Sequence, residues 1–113
     1  GVESIAPFYG LMIPMKGTGA VVQYPSGAGV GILSGYTPVK DAAIATLIKE
    51  RNGIIFGTSN VPEFALGLRT ANPASGQTRN PYNHRLTVGG SSGGAASAVA
   101  SYHCPVAVTE DTG

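Results

Sequence analysis

A run of glycine and serine that leads into a helix of small residues constrains this chain more than any other feature. The stretch TVGGSSGGAASAVASY covers residues 87–102. Holding a glycine fixed costs more backbone entropy than holding any other residue, so four glycines around Ser91 and Ser92 need a reason. From about residue 94 to 102, the helical pattern has almost only Ala, Ser, Gly and Val on every face. Such a helix can lie very close to its neighbours, and we expect it in the centre of the fold.

Helical and strand-like segments alternate along the rest of the chain. Thr37 fits a helix N-cap, Pro38 the first helical position, and Asp41 the first turn, where the helix dipole favours an anion. Helical apolar spacing then continues until Gly53 ends the helix. A helix followed at once by a buried strand predicts an α/β fold with a parallel sheet. The strand-like runs are residues 9–15, 20–24, 54–57 and 104–109.

Composition excludes several classes of function. The 113 residues carry a net charge of +1 and 12% charged residues, so the chain lacks the basic surface that nucleic acid or an anionic membrane requires. No apolar run is long enough to span a bilayer. His84, His103 and Cys104 lack the spacing of metal ligands. We expect no metal and no cofactor, and the sequence does not indicate a cellular compartment.

The glycines also do not fit a nucleotide-binding loop. A Walker loop ends in Gly-Lys-Ser/Thr, where the lysine reaches the phosphates, and GGSSGG has no lysine. The segment GAGVG, residues 27–31, lacks the third glycine of the dinucleotide spacing. A small nucleotide-binding module is therefore the weaker alternative.

A catalytic site is the stronger alternative. Backbone N–H groups of a glycine-rich turn can point at an anion, as in an oxyanion hole, and a serine there needs a base. Lys16 lies between IPM and GTG; a lysine held among apolar residues favours its neutral form and can act as that base. Sequence statistics alone favour an ordinary exposed lysine at this position, since lysine is rarely buried. The residues by themselves thus indicate no more than a possible serine/lysine hydrolase.

Three segments in the same order resemble the amidase signature family. These are YGLMIPMKGTGAV, which resembles the segment of the catalytic lysine, GIIFGTSNVPEFALGLRTANPASGQTRNPYN, and GGSSGGAASAVAS with PVAVTEDTG after it. The resemblance covers nearly the whole chain from Pro7 onward. It implies an amidase-signature α/β fold, a mixed β-sheet covered by helices, and a Ser–cis-Ser–Lys triad that hydrolyses amides.

The resemblance assigns roles to individual residues. Lys16 corresponds to the base, and Ser91 to the bridging serine, whose preceding peptide bond is cis. Gly90 removes a side-chain clash before that serine, and Ser92 is expected to donate a second hydrogen bond to the lysine amine. The two glycines at positions 93 and 94 are expected to let the helix start lie close to the lysine and the nucleophile.

The nucleophile of the family follows an Asp-x-Gly-Gly pattern. Asp111, Thr112 and Gly113 match its start, and the nucleophile is expected two positions further on. The backbone amides of Thr112 and Gly113 match part of the oxyanion hole. Two positions depart from the family: Gly17 stands where aspartate commonly follows the lysine, and Glu110 where many members have serine or threonine.

The resemblance therefore implies an amide hydrolase. We expect residues 1–113 to be a fragment of one amidase signature domain, inactive alone, whose partners are a small amide substrate and the rest of the domain or a companion chain. The alternative is a non-catalytic binding or interaction module of the same ancestry. NVPEFALG, residues 60–67, is expected to line a wall near the substrate carbonyl, and Val61-Pro62 favours a general amidase over the tRNA-dependent amidotransferase.

Overall fold

A short parallel strand pair organises the molecule, which is described here from a computed structural model covering residues 6–111. Strand β1, Met15–Lys16, pairs in parallel with β2, Thr58–Ser59. The pairing continues in the residues that precede both strands in sequence. There, Ile13 N–H donates to Ile54 O at 2.8 Å and Ile54 N–H donates to Leu11 O at 2.7 Å. The predicted parallel sheet is thus present, but each of its two strands contains two residues.

The segment that follows Cys104 runs along the opposite edge of β1. Val108 N–H donates to Pro14 O at 3.0 Å, on the side facing away from Ile54, because successive backbone groups of a strand alternate in direction. Residues 104–109 otherwise form no regular strand, so the strand predicted there is wrong in its extent. The chain before Lys16 is therefore held from both sides.

Helix α1 spans Ala43–Glu50, five residues shorter at its start than predicted. Asp41 precedes the helix and does not lie in its first turn. Its carboxylate accepts hydrogen bonds from Val22 N–H and Lys49 Nζ, both at 2.7 Å. Ala42 N–H donates to Ala20 O at 2.8 Å, which holds the entry to the helix in an extended conformation. At the other end, Gly53 N–H donates to Ile48 O, so the helix ends where the sequence predicts.

The predicted strand at residues 20–24 is a turn against the core. Val21 is fully buried, and Tyr24 N–H donates back to Val21 O at 3.2 Å. The apolar character of this piece therefore reflects burial of a turn rather than strand pairing. The buried core around it comprises Ile13, Met15, Val21, Ala45, Ile48 and Ile55.

The second half of the chain contributes a hairpin and the predicted small-residue helix. Strands β3, Ala71–Asn72, and β4, Gly76–Gln77, pair antiparallel within the stretch between the two helices. Helix α2 spans Gly93–Ala100, close to the prediction. Two single 3-10 turns, Gly31–Leu33 and Glu63–Ala65, complete the secondary structure of residues 6–111. None of the helices in that range has the length and apolar character to cross a bilayer.

An open apolar groove of about 460 Å³ remains between α1 and the segment that follows Cys104. Half-exposed side chains of Ile44 and Leu47 form one wall, and Val106 and Val108 form the other. The remaining lining residues are Phe8, Leu11, Ile13, Ile48, Arg51 and Ala107.

Candidate active site

The end of β1 places Lys16 in the interior. Its backbone pairs with Ser59, and only 2% of the residue is exposed. Lys16 Nζ donates a hydrogen bond to Ser91 Oγ at 2.6 Å, and Ser91 is 3% exposed. Because the contact is short and both side chains are buried, they form a defined pair across 75 positions of sequence. Lys16 is therefore not the ordinary exposed lysine that composition favours.

Ser91 is presented by the turn that enters α2. The Gly90–Ser91 peptide bond is cis, as the resemblance implies. Thr70, which is 1% exposed, holds both sides of this turn: its Oγ1 donates to Gly89 O at 2.9 Å and accepts from Gly93 N–H at 3.0 Å. One buried hydroxyl thus fixes the backbone before and after the serine.

The glycines of this turn allow close approaches. A β-carbon on Gly94 would lie 2.6 Å from Asn60 O, and one on Gly90 would lie 3.1 Å from Gly67 O. A β-carbon on Gly93 would collide with the side chain of Thr70. The atoms closest to a β-carbon at positions 93 and 94 therefore belong to Thr70 and Asn60.

Gly17, a departure from the family pattern, has a steric reason in this structure. A β-carbon at this position would lie 2.6 Å from Ser59 O, on the neighbouring strand. Real β-carbons do not approach a backbone oxygen that closely. The close pairing of β1 with β2 thus excludes an aspartate after Lys16 unless the strands separate.

Glu110, the other departure, reaches the lysine. Its Oε1 lies 3.3 Å from Lys16 Nζ and accepts a hydrogen bond from Thr18 Oγ1, while 55% of the side chain stays exposed. The hydrogen bond from Thr18 and then that from Lys16 hold the pKa of the Glu110 carboxyl below its ordinary value. The site therefore contains a carboxylate beside the lysine amine.

Ser92 does not make the hydrogen bond that the sequence predicts. Its Oγ donates to the backbone carbonyl of Glu110 at 3.4 Å, in place of a bond to the amine of Lys16. The lysine amine instead contacts Ser91 Oγ and Glu110 Oε1. Ser92 instead connects the serine turn to the segment that carries Glu110.

An asparagine pair supports the segment behind β2, and sequence reasoning did not single it out. Asn72 Nδ2 donates to Asn60 Oδ1 and to Val61 O, both at 2.7 Å, and Asn72 Oδ1 accepts from Ser75 N–H at 2.7 Å. Both asparagines lie within the quoted SNVPEF and TANPASG stretches. Their presence in the motif could have marked both asparagines as candidates for the site. Their separation of 12 residues gave no reason to expect a hydrogen bond between them.

An open cavity of about 310 Å³ begins beside the lysine strand. Gly17 and Ser59, which lie next to the Lys16 pairing, are on its wall together with Val61. Its other lining residues are Pro25, residues 27–30, Ser34, Thr58, Asn60, Ala74 and Ser75. Of the stretch 60–67, only its first residues line this cavity, and Phe64 is exposed.

The remaining sequence candidates lie elsewhere. Thr112 and Gly113, expected to form part of an oxyanion hole, are outside the described residues. Cys104 is buried, which raises the pKa of its thiol, and the ring of His103 contacts Ser101 Oγ at 2.9 Å. Among residues 6–111, no three His, Cys, Asp or Glu side chains come together as a metal site would require.

Known proteins resemble this chain in both sequence and structure. It is 39% identical over 111 residues to a glutamyl-tRNA(Gln) amidotransferase subunit of Acidothermus cellulolyticus, an alignment that covers 98% of this chain and 22% of that protein. The crystal structure of the corresponding subunit from Thermotoga maritima matches with a TM-score of 0.84 at 32% identity, covering 88% of this chain and 22% of that one. The chain thus spans about a fifth of these relatives.

A hydrolase structure matches equally well. The allophanate hydrolase of Kluyveromyces lactis has a TM-score of 0.88 at 29% identity, covering 97% of this chain and 18% of that one. These neighbours confirm the amidase-signature fold, of which residues 6–111 form a part. A protein-family model described as Amidase matches residues 2–113, so the chain belongs to the amidase signature family.

Proposed function

We propose that the protein containing this chain hydrolyses amide C–N bonds by acyl transfer to a serine, with Lys16 as base and Ser91 as proton bridge. The observation that carries this proposal is the 2.6 Å contact between Lys16 Nζ and Ser91 Oγ, made by two buried side chains. A buried lysine paired with a serine hydroxyl is the arrangement that serine/lysine hydrolysis requires.

The steps follow from this pair. Neutral Lys16 takes the proton of the Ser91 hydroxyl, and Ser91 Oγ takes the proton of a nucleophilic serine as that serine attacks the amide carbon. The protons return to the nitrogen of the leaving amine when the C–N bond breaks, and water then releases the acyl group. The nucleophile belongs to the expected continuation after Gly113, and the backbone amides of Thr112 and Gly113 would stabilise the oxyanion.

We assign the substrate to the class of small amides. The 310 Å³ cavity, with Gly17 and Val61 on its wall, gives such a substrate room beside the strand that carries Lys16. The glutamyl-tRNA(Gln) amidotransferase relatives represent the competing substrate class. Val61-Pro62 favours the general amidase. Release of ammonia from simple carboxamides, without tRNA and ATP, tests this choice.

The rest of an amidase domain is the partner that we propose for the chain itself. Relatives that are about five times longer and an apolar groove open at the surface both support this. On this proposal residues 1–113 by themselves do not hydrolyse amides, because they contain no serine in the nucleophile position. A purified 113-residue chain that hydrolysed amides would contradict it.

The test of the mechanism uses the full-length protein and two substitutions. Lys16→Ala and Ser91→Ala should each lower kcat for amide hydrolysis by several orders of magnitude, since each removes one member of the proton path. Lys49→Ala is the matched control, because Lys49 is an exposed lysine that pairs with Asp41 away from the site. Near-normal turnover of Lys16→Ala would refute the assignment of Lys16 as the base, whereas a full-length wild type without amide hydrolysis would favour the non-catalytic binding module.

A further inference from the structure

The carboxylate of Glu110 is the charged group next to the proton path that the steps above leave unused. It lies 3.3 Å from Lys16 Nζ, on a side chain that is half exposed, whereas the lysine is buried. When Lys16 takes a proton from Ser91, a positive charge forms on Nζ in a place with little access to water. An anion fixed beside a developing cation stabilises the transition state more than the ground state.

The carboxylate is held in that place by contacts on two sides. Thr18, two residues after the lysine, donates its hydroxyl to Glu110 Oε1. Ser92, directly after the bridging serine, donates its hydroxyl to Glu110 O. Glu110 therefore connects the lysine segment, through its side chain, to the serine turn, through its backbone carbonyl.

The carboxylate is also ionised under ordinary conditions. The hydrogen bond from Thr18 and the contact with Lys16 hold the pKa of Glu110 below its ordinary value. At neutral pH the group beside the lysine is thus an anion. A serine or threonine hydroxyl, which many family members have at this position, would accept a hydrogen bond there without supplying charge.

We propose that Glu110 is a positioning residue that orients the Lys16 amine toward Ser91 and stabilises the ammonium formed when the amine accepts the serine proton. Its role corresponds to that of the carboxylate behind the histidine of a Ser-His-Asp triad, which orients the base and stabilises its protonated form without taking the proton. This inference rests on the proposed function, because it requires Lys16 to be the base.

The test compares three substitutions in the full-length protein. Glu110→Gln keeps an oxygen that can accept from Thr18 and Lys16 but removes the charge, Glu110→Asp keeps the charge on a shorter side chain, and Glu110→Ala removes both. We expect kcat on a small carboxamide to fall roughly ten- to a hundredfold for Gln and Ala, below the ~10⁴-fold loss known for a buried triad carboxylate, because Glu110 is half exposed. Asp should retain more activity than Gln, and KM should change less than threefold in all three.

Controls separate this inference from the proposed function. Glu50→Gln removes a carboxylate at the end of α1, away from the site, and should leave kcat unchanged. Wild-type kcat in Glu110→Gln, with Lys16→Ala inactive, overturns the role of Glu110 and leaves the proposed function standing. An active Lys16→Ala overturns both. A loss confined to KM also overturns the inference, because it marks a role in binding the substrate.

Discussion

At the scale of single residues, the pairing of Lys16 with Ser91 depends on side chains outside the pair. Thr70 is the strongest case, because one buried hydroxyl satisfies both Gly89 O and Gly93 N–H on either side of Ser91. A buried backbone group that loses its partner costs about 1–3 kcal/mol. The geometry of the bridging serine therefore depends on a threonine 21 positions before it.

Thr70→Val tests this dependence, since valine has the same shape without the hydroxyl. The free energy of unfolding should fall by about 1–3 kcal/mol in urea titration, and kcat should fall in the same protein. Thr70→Ser, which keeps the hydroxyl, should retain most of the free energy of unfolding and most of kcat. Thr46→Val is the control, because the Thr46 hydroxyl is exposed on α1 and makes only a long bond to Ala42 O. Equal effects of the two valine substitutions would contradict the role of Thr70.

The pH dependence of stability provides a second test at this scale. The folded-state pKa of Glu110 is lowered, so its contribution to stability is present above its ordinary value, about 4.3, and is lost as the pH falls through the lower folded value. Because the side chain is half exposed, the contribution is at most about 1 kcal/mol. The unfolding free energies of wild type and Glu110→Gln should differ at pH 7 and converge as the pH falls through the lowered pKa of Glu110. A difference that grows as the pH falls would contradict the sign.

At the scale of secondary-structure elements, the packing of α2 explains why its first turn is made of glycine. The β-carbon of an alanine at position 94 would lie 2.6 Å from Asn60 O, a backbone atom that cannot rotate away. Alanine is the better helix former by about 1 kcal/mol, but overpacking of this kind costs about 1–3 kcal/mol. The steric cost therefore outweighs the gain in helix propensity, and the net effect of alanine on the free energy of unfolding is destabilising.

Gly94→Ala should accordingly destabilise the full-length protein by about 1–2 kcal/mol, measured by urea unfolding. The matched control is Gly35→Ala, at an exposed position where a β-carbon meets no atom within 4 Å. That control should be neutral or slightly stabilising, because it only restricts the unfolded chain. Stabilisation by Gly94→Ala would show that the helix can move away from Asn60.

The elements also show where sequence reasoning succeeded and where it failed. The α2 helix and the end of α1 at Gly53 were predictable, because small-residue periodicity and a C-terminal glycine act locally. The start of α1 was not, because Asp41 accepts hydrogen bonds from Val22 N–H and from Lys49 near the end of the helix, and does not lie in the first turn. Motif resemblance identified Lys16 and Ser91, but no local pattern could show that Glu110 would reach the lysine across 94 residues of sequence.

At the scale of the whole molecule, the apolar groove between α1 and the segment after Cys104 lies open at the surface. Its walls carry half-exposed Ile44, Leu47 and Val106, and exposed apolar patches of this kind mark places that another surface covers. We assign that surface to the remainder of the amidase domain. The 113-residue chain by itself should therefore self-associate.

Size-exclusion chromatography of the 113-residue chain at micromolar concentration checks this expectation. The chain should elute above its monomer mass of 11.4 kDa, and the pair Ile44→Lys with Leu47→Lys should shift it toward the monomer. Val39→Lys is the control, because Val39 is exposed outside the groove. A wild-type chain that elutes as a monomer would contradict the assignment. In the full-length protein the same pair of lysines should lower the melting temperature.

The two-sided support of the chain before Lys16 also has a consequence for biosynthesis. Ile54 pairs with one edge of this segment and Val108 with the other, and both are made after it. When Lys16 has just emerged from the ribosome, the segments that contain Ile54 and Val108 have not yet emerged, and Ser91 has not yet emerged either. The lysine therefore stays in contact with water until the segment containing Val108 and Glu110 has emerged. Ribosomes stalled before and after that point should differ in how readily an amine-directed reagent labels Lys16.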